Sequence, residues 1–317
     1  MSNQNPTPVL PEKKKSKTGL VVGISAGVVV ILGAVAAFVV PGLLNNDSEA
    51  VAGEDELTTV SIGVTNEADE YWSILQDLAL EEGIKVELVN FTEYPLPNPA
   101  LAAEETDLNS FQHLDYLSNH IVATGDDLVP ISPTIIVPLP LYSTQYDSVE
   151  DIPEGAEIAI PNDESNQGRA INVLVSAGLV ELKNEVDVPT PADIDESAST
   201  VTVTPISAEQ TPAALQTVAG AIINNNFALD AGLDPLSALY FVDPSDPLSA
   251  PYLNVIVARA ADADNPAYLK VAELWHTKEV TDAVLASSKN TAVLVDATAE
   301  ELQKSLDALV EKKKAQQ

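Results

Sequence analysis

None of the 317 residues is cysteine. That absence excludes disulfides, thiolate metal sites and a cysteine nucleophile, and also a lipid anchor carried on an N-terminal cysteine. Only three histidines occur, His113, His120 and His276, at no metal-binding spacing. No glycine-rich phosphate loop and no nucleophile elbow is present. Neither a metal nor a cofactor is therefore expected, and an enzyme is not the expected reading. Positive charge is scarce as well, with Lys+Arg 15 against Asp+Glu 48 and a net charge of −33. Such a surface repels nucleic acid and anionic lipid, both of which are gripped through clustered Lys and Arg. Carboxylates are so common that any pair of them reads first as solvated surface.

What is present divides the chain. Residues 1–17 are polar and lysine-bearing, and read as a cytoplasmic tail. Thr18 to Val40 is an uncharged apolar run of 23 residues. As a helix it would be about 34 Å long, enough to cross a bilayer core of about 30 Å. The lysines just before it predict a single-pass transmembrane anchor with the N-terminus in the cytoplasm. A cleaved signal peptide would use a shorter apolar core. Residues 41–56 read as an acidic linker, and the rest as an extracytoplasmic soluble region expected to be monomeric.

From Leu57 onward, β-type and helix-type segments alternate. TVSIGV and KVELVNF read as strands and Asn66 to Glu82 as a helix between them. A stretch from Leu128 to Tyr142, broken by Pro130, Pro133, Pro138 and Pro140, fits an edge strand or a crossing segment. A second alternating set follows, with EIAI, VTVTPI and AII as strands, Gly168 to Ala177 and Thr211 to Val218 as helices, and YLNVIVAR as a late strand. Pro266 to Ser287 and Thr298 to Lys314 complete the helices. Alternation of this kind predicts an α/β protein with mostly parallel sheets in two lobes. Lobe I is expected at 57–135 and 247–297, lobe II at 136–246, and a C-terminal helical extension at 298–317. The hinge would lie near Pro130–Tyr142 and Ser237–Tyr252.

Arginine is scarce: Arg169 and Arg259 are the two in the chain. Arg169 sits in IAIPNDESNQGRAINVLVSA, where a strand hands over to a helix beside Asn162, Asp163, Asn166 and Gly168. A guanidinium fork placed at a helix start suits a carboxylate, although a surface arginine capping its own loop is the plain alternative. Phe91, Tyr94, Phe111, His113 and Tyr116 concentrate aromatic rings in the first lobe. Phe111 and His113 lie at a strand-to-helix junction, where open α/β sheets bind ligands. Asn224 to Asn226 start a helix directly after a strand, and helix capping accounts for one of the three. Asn254 lies inside an apolar strand, where its amide needs a partner. An arginine, several amides and an aromatic group describe an amino-acid site between two lobes.

The segments VELVNFTEYPLPNPAL, DLNSFQHLDYL, AIPNDESNQGRAINVL, AIINNNFA and PYLNVIVAR resemble the methionine-binding lipoprotein (NlpA-type) family of ABC-importer substrate-binding proteins. The resemblance runs from about Val60 to Val293. It implies a two-lobed periplasmic-binding-protein-like (type II) fold with a hinge, here preceded by the transmembrane helix. It also implies delivery of L- or D-methionine to an ABC permease and its ATPase subunit. Arg169 would then hold the ligand carboxylate with Asn166 beside it. Asn224 and Asn254 would bind the α-amino and carboxylate end, and Tyr94, Phe111, His113 and Tyr116 would surround the thioether. Another amino acid, a methionine-containing dipeptide, or a surface adhesion role with a vestigial cleft are the alternatives. The chain departs from the family pattern at Phe227, at Asn225–Asn226, in the loop Asn66 to Tyr71, in the missing anchor cysteine, and from Thr298 onward.

Overall fold

Strand β1 (Thr58–Val64) buries Val60, Ile62 and Val64 on one side, as a period of two requires. Helix α1 (Glu70–Glu81) answers with Trp72, Leu75 and Ala79, three buried residues on one helical face. Strand β2 (Ile84–Asn90) then pairs parallel with β1 along its whole length. These are elements of a computed structural model that describes residues 57–316. The expected tail, transmembrane anchor and linker, residues 1–17, 18–40 and 41–56, lie outside them. Among the described residues no helix is long and apolar enough to cross a membrane.

The first sheet continues with β3 (Leu108–His113), β4 (Leu128–Pro133) and β10 (Asn254–Arg259), in the order β2-β1-β3-β10-β4. Helices α2 (Pro97–Ala102) and α3 (Leu114–Thr124) flank β3. Pro130 and Pro133 both fall on β4, which is the sheet edge, where strands tolerate proline. Short strands β5 (Ile135–Ile136) and β6 (Leu141–Tyr142) carry the chain across to a second sheet. That sheet, β6-β9-β7-β8, contains β7 (Ala156–Pro161), β8 (Val201–Ile206) and β9 (Gly220–Ile222). Helices α4 (Glu164–Ser176), α5 (Thr211–Ala214) and α6 (Asn225–Asp230) connect it, each after a strand or its following loop. After β10 come α7 (Pro266–Trp275), α8 (Lys278–Ser287), β11 (Val293–Leu294) and α9 (Ala299–Lys314).

Each sheet has its own core. Trp72, Leu75, Val271 and Trp275 pack around β1, whereas Leu141, Ile158, Ile171 and Leu174 pack around β7. A further cluster joins Tyr94 to Tyr142, Ile223 and Phe227, with Phe111 and Tyr116 against it, so aromatic rings from the first sheet's elements meet the second sheet's.

Three expectations are corrected. The sheets are less parallel than the alternation predicts: β10 runs antiparallel to both β3 and β4, and β6 antiparallel to β9. The chain returning from the second sheet reaches β10 at the end where β3 finishes, so it must run back the other way. The segment 266–287 is two helices rather than one: the backbone turns extended at Thr277, which opens α8, and His276 just before it meets Ser132 on β4 at 2.8 Å. Finally, α4 begins at Glu164, one turn before Gly168. Asp163 takes the cap position and accepts the Asn166 N–H at 3.0 Å. Arg169 therefore projects from the second turn of a helix and not from a loop at its start.

Candidate ligand-binding site

The parallel strands β1, β3, β7 and β9 all end toward one cleft. β10 reaches the same cleft by its beginning, with Asn254 paired in register with His113. That geometry collects Phe111 and His113 from β3, Tyr116 from α3, Asn166 and Arg169 from α4, Asn224 from the start of α6, and Asn254 from β10. With Tyr94, from the loop after β2, these eight predicted residues all line one cavity of about 100 Å³.

Local hydrogen bonds explain how each side chain is held. Buried Asn98, Asn109 and Gln112 bond to one another, Asn109 Nδ2 donating to Asn98 Oδ1 at 2.9 Å and Gln112 Nε2 to Asn109 Oδ1 at 3.0 Å. This amide cluster ties α2 to β3, and so fixes the Pro-rich turn that carries Tyr94. Tyr94 packs against Phe111, Tyr116 and Phe227 with ring centroids 6.1, 6.0 and 4.9 Å apart. Its hydroxyl donates to Asn226 on α6. His113 is the N-cap of α3, and its Nδ1 accepts the Tyr116 N–H at 3.1 Å. With Nδ1 acting as acceptor the ring proton resides on Nε2, which faces Asn166 Oδ1 at 3.4 Å. Asn166 Nδ2 in turn donates to Asp163, and its Oδ1 accepts from Asn224 Nδ2 at 2.9 Å. One polar chain thus runs from Asp163 through Asn166 to His113 and Asn224, joining elements of the two sheets.

Burial sets the charges. It pushes the His113 pKa down to about 4, with the Arg169 cation adding to the effect, so the ring is neutral at pH 7. Burial raises the Asp163 carboxyl above its usual range, against the donors of Asn166 and Ser165. It also lowers Arg169 to about 10.

The two arginines contrast sharply. Arg259 donates to Asp262 at 2.6 Å and to the Leu101 and Thr106 carbonyls, with Asp107 at 4.0 Å; it is a structural arginine at the end of β10 in the first sheet. Arg169 is 7% exposed, donates to the Val137 carbonyl at 2.6 Å, and stacks 4.2 Å from the Tyr252 ring centroid. Among the described residues no carboxylate lies within ion-pair distance of it. A desolvated guanidinium with unused donors beside a cavity is an anion site. Close by, Asn224 Oδ1 and Asn225 Oδ1 are buried acceptors without a partner among the described residues, suited to a donor such as an ammonium.

Capping was expected to account for one of Asn224 to Asn226. Asn224 does occupy the cap position of α6, yet its side chain makes no capping bond and turns to Asn166 instead. Asn254 spends its amide donors on the Ile135 and Tyr252 carbonyls, at 3.2 and 3.4 Å. Phe91 does not line the cavity. Tyr252 is the residue that sequence reasoning missed. It stands two positions before Asn254, in the 3₁₀ turn Pro247–Tyr252, and the arginine it covers is 83 positions away in sequence.

A pH effect follows from His113. The ring's pKa is about 6.5 in an exposed state and about 4 in the fold, so the folded protein binds fewer protons in between. Stability is therefore expected to fall as pH drops from 6.5 toward 4, by about 3 kcal/mol from this group. His113→Asn, which retains a capping side chain, should lose less stability over that interval in urea titrations. Parallel curves for the two proteins would refute the assignment.

Comparison with known proteins gives the family of the chain. The family model described as NlpA lipoprotein matches residues 60–295. The D-methionine-binding lipoprotein MetQ of Yersinia pestis is 35% identical over 239 residues, covering 74% of this chain and 87% of that protein. Among solved structures, the substrate binding protein of a methionine transporter from Streptococcus pneumoniae superposes with a TM-score of 0.71 at 36% identity, covering 75% of this chain and 96% of that one. A nutrient binding protein from Burkholderia cenocepacia, solved bound to methionine, gives 0.70 at 33% identity, covering 75% and 100%. The chain belongs to the NlpA lipoprotein family.

Proposed function

We propose that this protein is the substrate-binding component of an ABC importer and binds methionine between its two lobes. The observation that carries the reading is Arg169: a buried cation without a carboxylate partner among the described residues, facing a cavity walled by aromatic rings of the other lobe. Its guanidinium would hold the α-carboxylate, with Asn166 beside it. Asn224, through its unpartnered Oδ1, would accept from the α-ammonium, with Asn254 at the same end of the ligand. Tyr94, Phe111 and Tyr116 would surround the thioether, whose polarizable sulfur packs well against ring edges. Neutral His113 would close that wall while leaving the ligand's negative charge to Arg169.

The lobes would open about the segments near Pro130–Tyr142 and Ser237–Tyr252. Contacts that would form on closure are Tyr94 with Asn226, His113 with Asn166, and Asn226 with Thr65. The apolar segment 18–40 would tether the protein to the membrane with the binding lobes outside the cytoplasm, next to the permease and its ATPase. Calorimetry of the purified protein against L-methionine, D-methionine, other amino acids and methionine-containing dipeptides tests the reading. Saturable binding of a methionine enantiomer in preference to the other amino acids is the expected result. No heat and no thermal stabilisation from any of them would overturn it.

A further inference from the structure

The family match stops at residue 295, and α9 lies beyond it. The helix is docked by Leu302, Leu306 and Val310, which join the cluster containing Leu114 and Leu117 of α3. Its last turn brings Lys313 Nζ to 2.9 Å from Asp115 Oδ1, with both side chains more than nine-tenths buried. Asp115 sits in the first turn of α3, between His113 and Tyr116 of the binding site.

Asp115, Lys313, Arg169 and Tyr252 line a common second cavity of about 520 Å³. Arg169 and Leu139 belong to the walls of both this cavity and the binding cleft. Arg169 thus lines both the ligand cleft and a cavity that the buried carboxylate of Asp115 also lines. The negative charge of Asp115 is felt at Arg169 and at Tyr252 beneath it. A buried carboxylate deprived of its counter-ion is an uncompensated charge, and in a low-dielectric interior it strongly attracts a cation within reach. Of the other cations on this cavity, Lys312 is half exposed and paired with Asp187 at 2.7 Å. Arg169 is the remaining one.

We propose that Lys313 is a positioning residue for ligand binding: by holding Asp115 it leaves the Arg169 guanidinium free for the ligand's carboxylate. The proposal rests on the methionine-binding reading given above, and it assigns a role to a helix outside the family match. It predicts that removing the lysine harms binding only while Asp115 keeps its charge.

The test is calorimetric titration of the full-length protein with methionine, for wild type, Lys313→Met, Lys313→Gln and Asp115→Asn/Lys313→Met. Lys313→Met is expected to weaken binding about tenfold, the effect of weakening one charge-assisted contact. Lys313→Gln, which keeps a hydrogen bond to Asp115 without the charge, should fall between Lys313→Met and wild type, and provides the comparison if Lys313→Met folds poorly. Asp115→Asn/Lys313→Met should bind within about twofold of wild type. A purely structural contribution of the ion pair gives no such rescue, because the double variant lacks the pair too. Unchanged affinity in both Lys313 variants, or a double variant as weak as Lys313→Met, overturns the proposal. Absence of methionine binding by the wild type overturns the functional reading instead, and this inference with it.

Discussion

Arg169→Met is expected to weaken methionine binding by about one to two decades while leaving the unliganded fold at least as stable. The first part follows from a charge-assisted hydrogen bond, worth about 1.5–3 kcal/mol, lost from the ligand carboxylate. The second follows from the environment. The guanidinium is buried, and its protein contacts are the Val137 carbonyl and the Tyr252 ring. Its pKa is lowered to about 10, so burial already disfavours the cation. Replacing an uncompensated buried charge by an apolar side chain of similar reach removes that penalty. Arg169→Lys separates charge from geometry: it keeps a cation but loses the planar fork, and should also bind more weakly than wild type. Calorimetry gives the affinities and urea unfolding the stabilities. An Arg169→Met protein with wild-type affinity would sink the site; one that is strongly destabilised would show that Arg169 is a structural residue like Arg259.

The same residue shows how far the amino-acid order reaches and where it stops. The strands β1, β2 and β7 are legible because each alternates or runs apolar over its own few residues, and local pattern decides local structure. The eight candidate residues are legible as types: four rings, three amides and one of the chain's two arginines. Their convergence on one cavity is a product of topology: β10 enters antiparallel and brings Asn254 beside His113. Contacts at long separation leave no local trace. Tyr252 reads as an aromatic after a proline until the fold sets it under Arg169. The start of α4 is hidden for a related reason: Asp163 signals a cap only if the polar stretch Glu164 to Gln167 is taken as helical, and nothing apolar in that stretch marks it so. His276, at the break between α7 and α8, meets Ser132, 144 positions away.

The second large effect concerns α9, read from sequence as an extension. Leu306→Ala is expected to cost about 2–5 kcal/mol, the usual range for emptying a fully buried leucine site. Leu306 is 1% exposed and packs in the cluster that holds Leu101, Leu114, Leu117, Leu128, Val255 and Val257, drawn from α2, α3, β4 and β10. The helix is prepared to dock there. Thr298 and Glu301 form a reciprocal capping box, acidic residues fill its first turn, and Lys312, Lys313 and Lys314 its last, each matching the helix dipole. For a folded region of this size the loss corresponds to a melting temperature roughly 5–15 °C lower. Leu309→Ala, at a partly buried position on the rim of the same cluster, should cost less. An unchanged melting temperature for Leu306→Ala would mean that α9 is not seated on α3 and the first sheet in solution. In that event Asp115 would lose its lysine in the wild type too, and the guanidinium of Arg169 would stand beside an unpaired carboxylate. The stability of one leucine site on α9 and the affinity at the cleft are thus linked through α3, which carries Leu114 and Leu117 on its buried face and Asp115 and Tyr116 in its first turn beside the His113 cap.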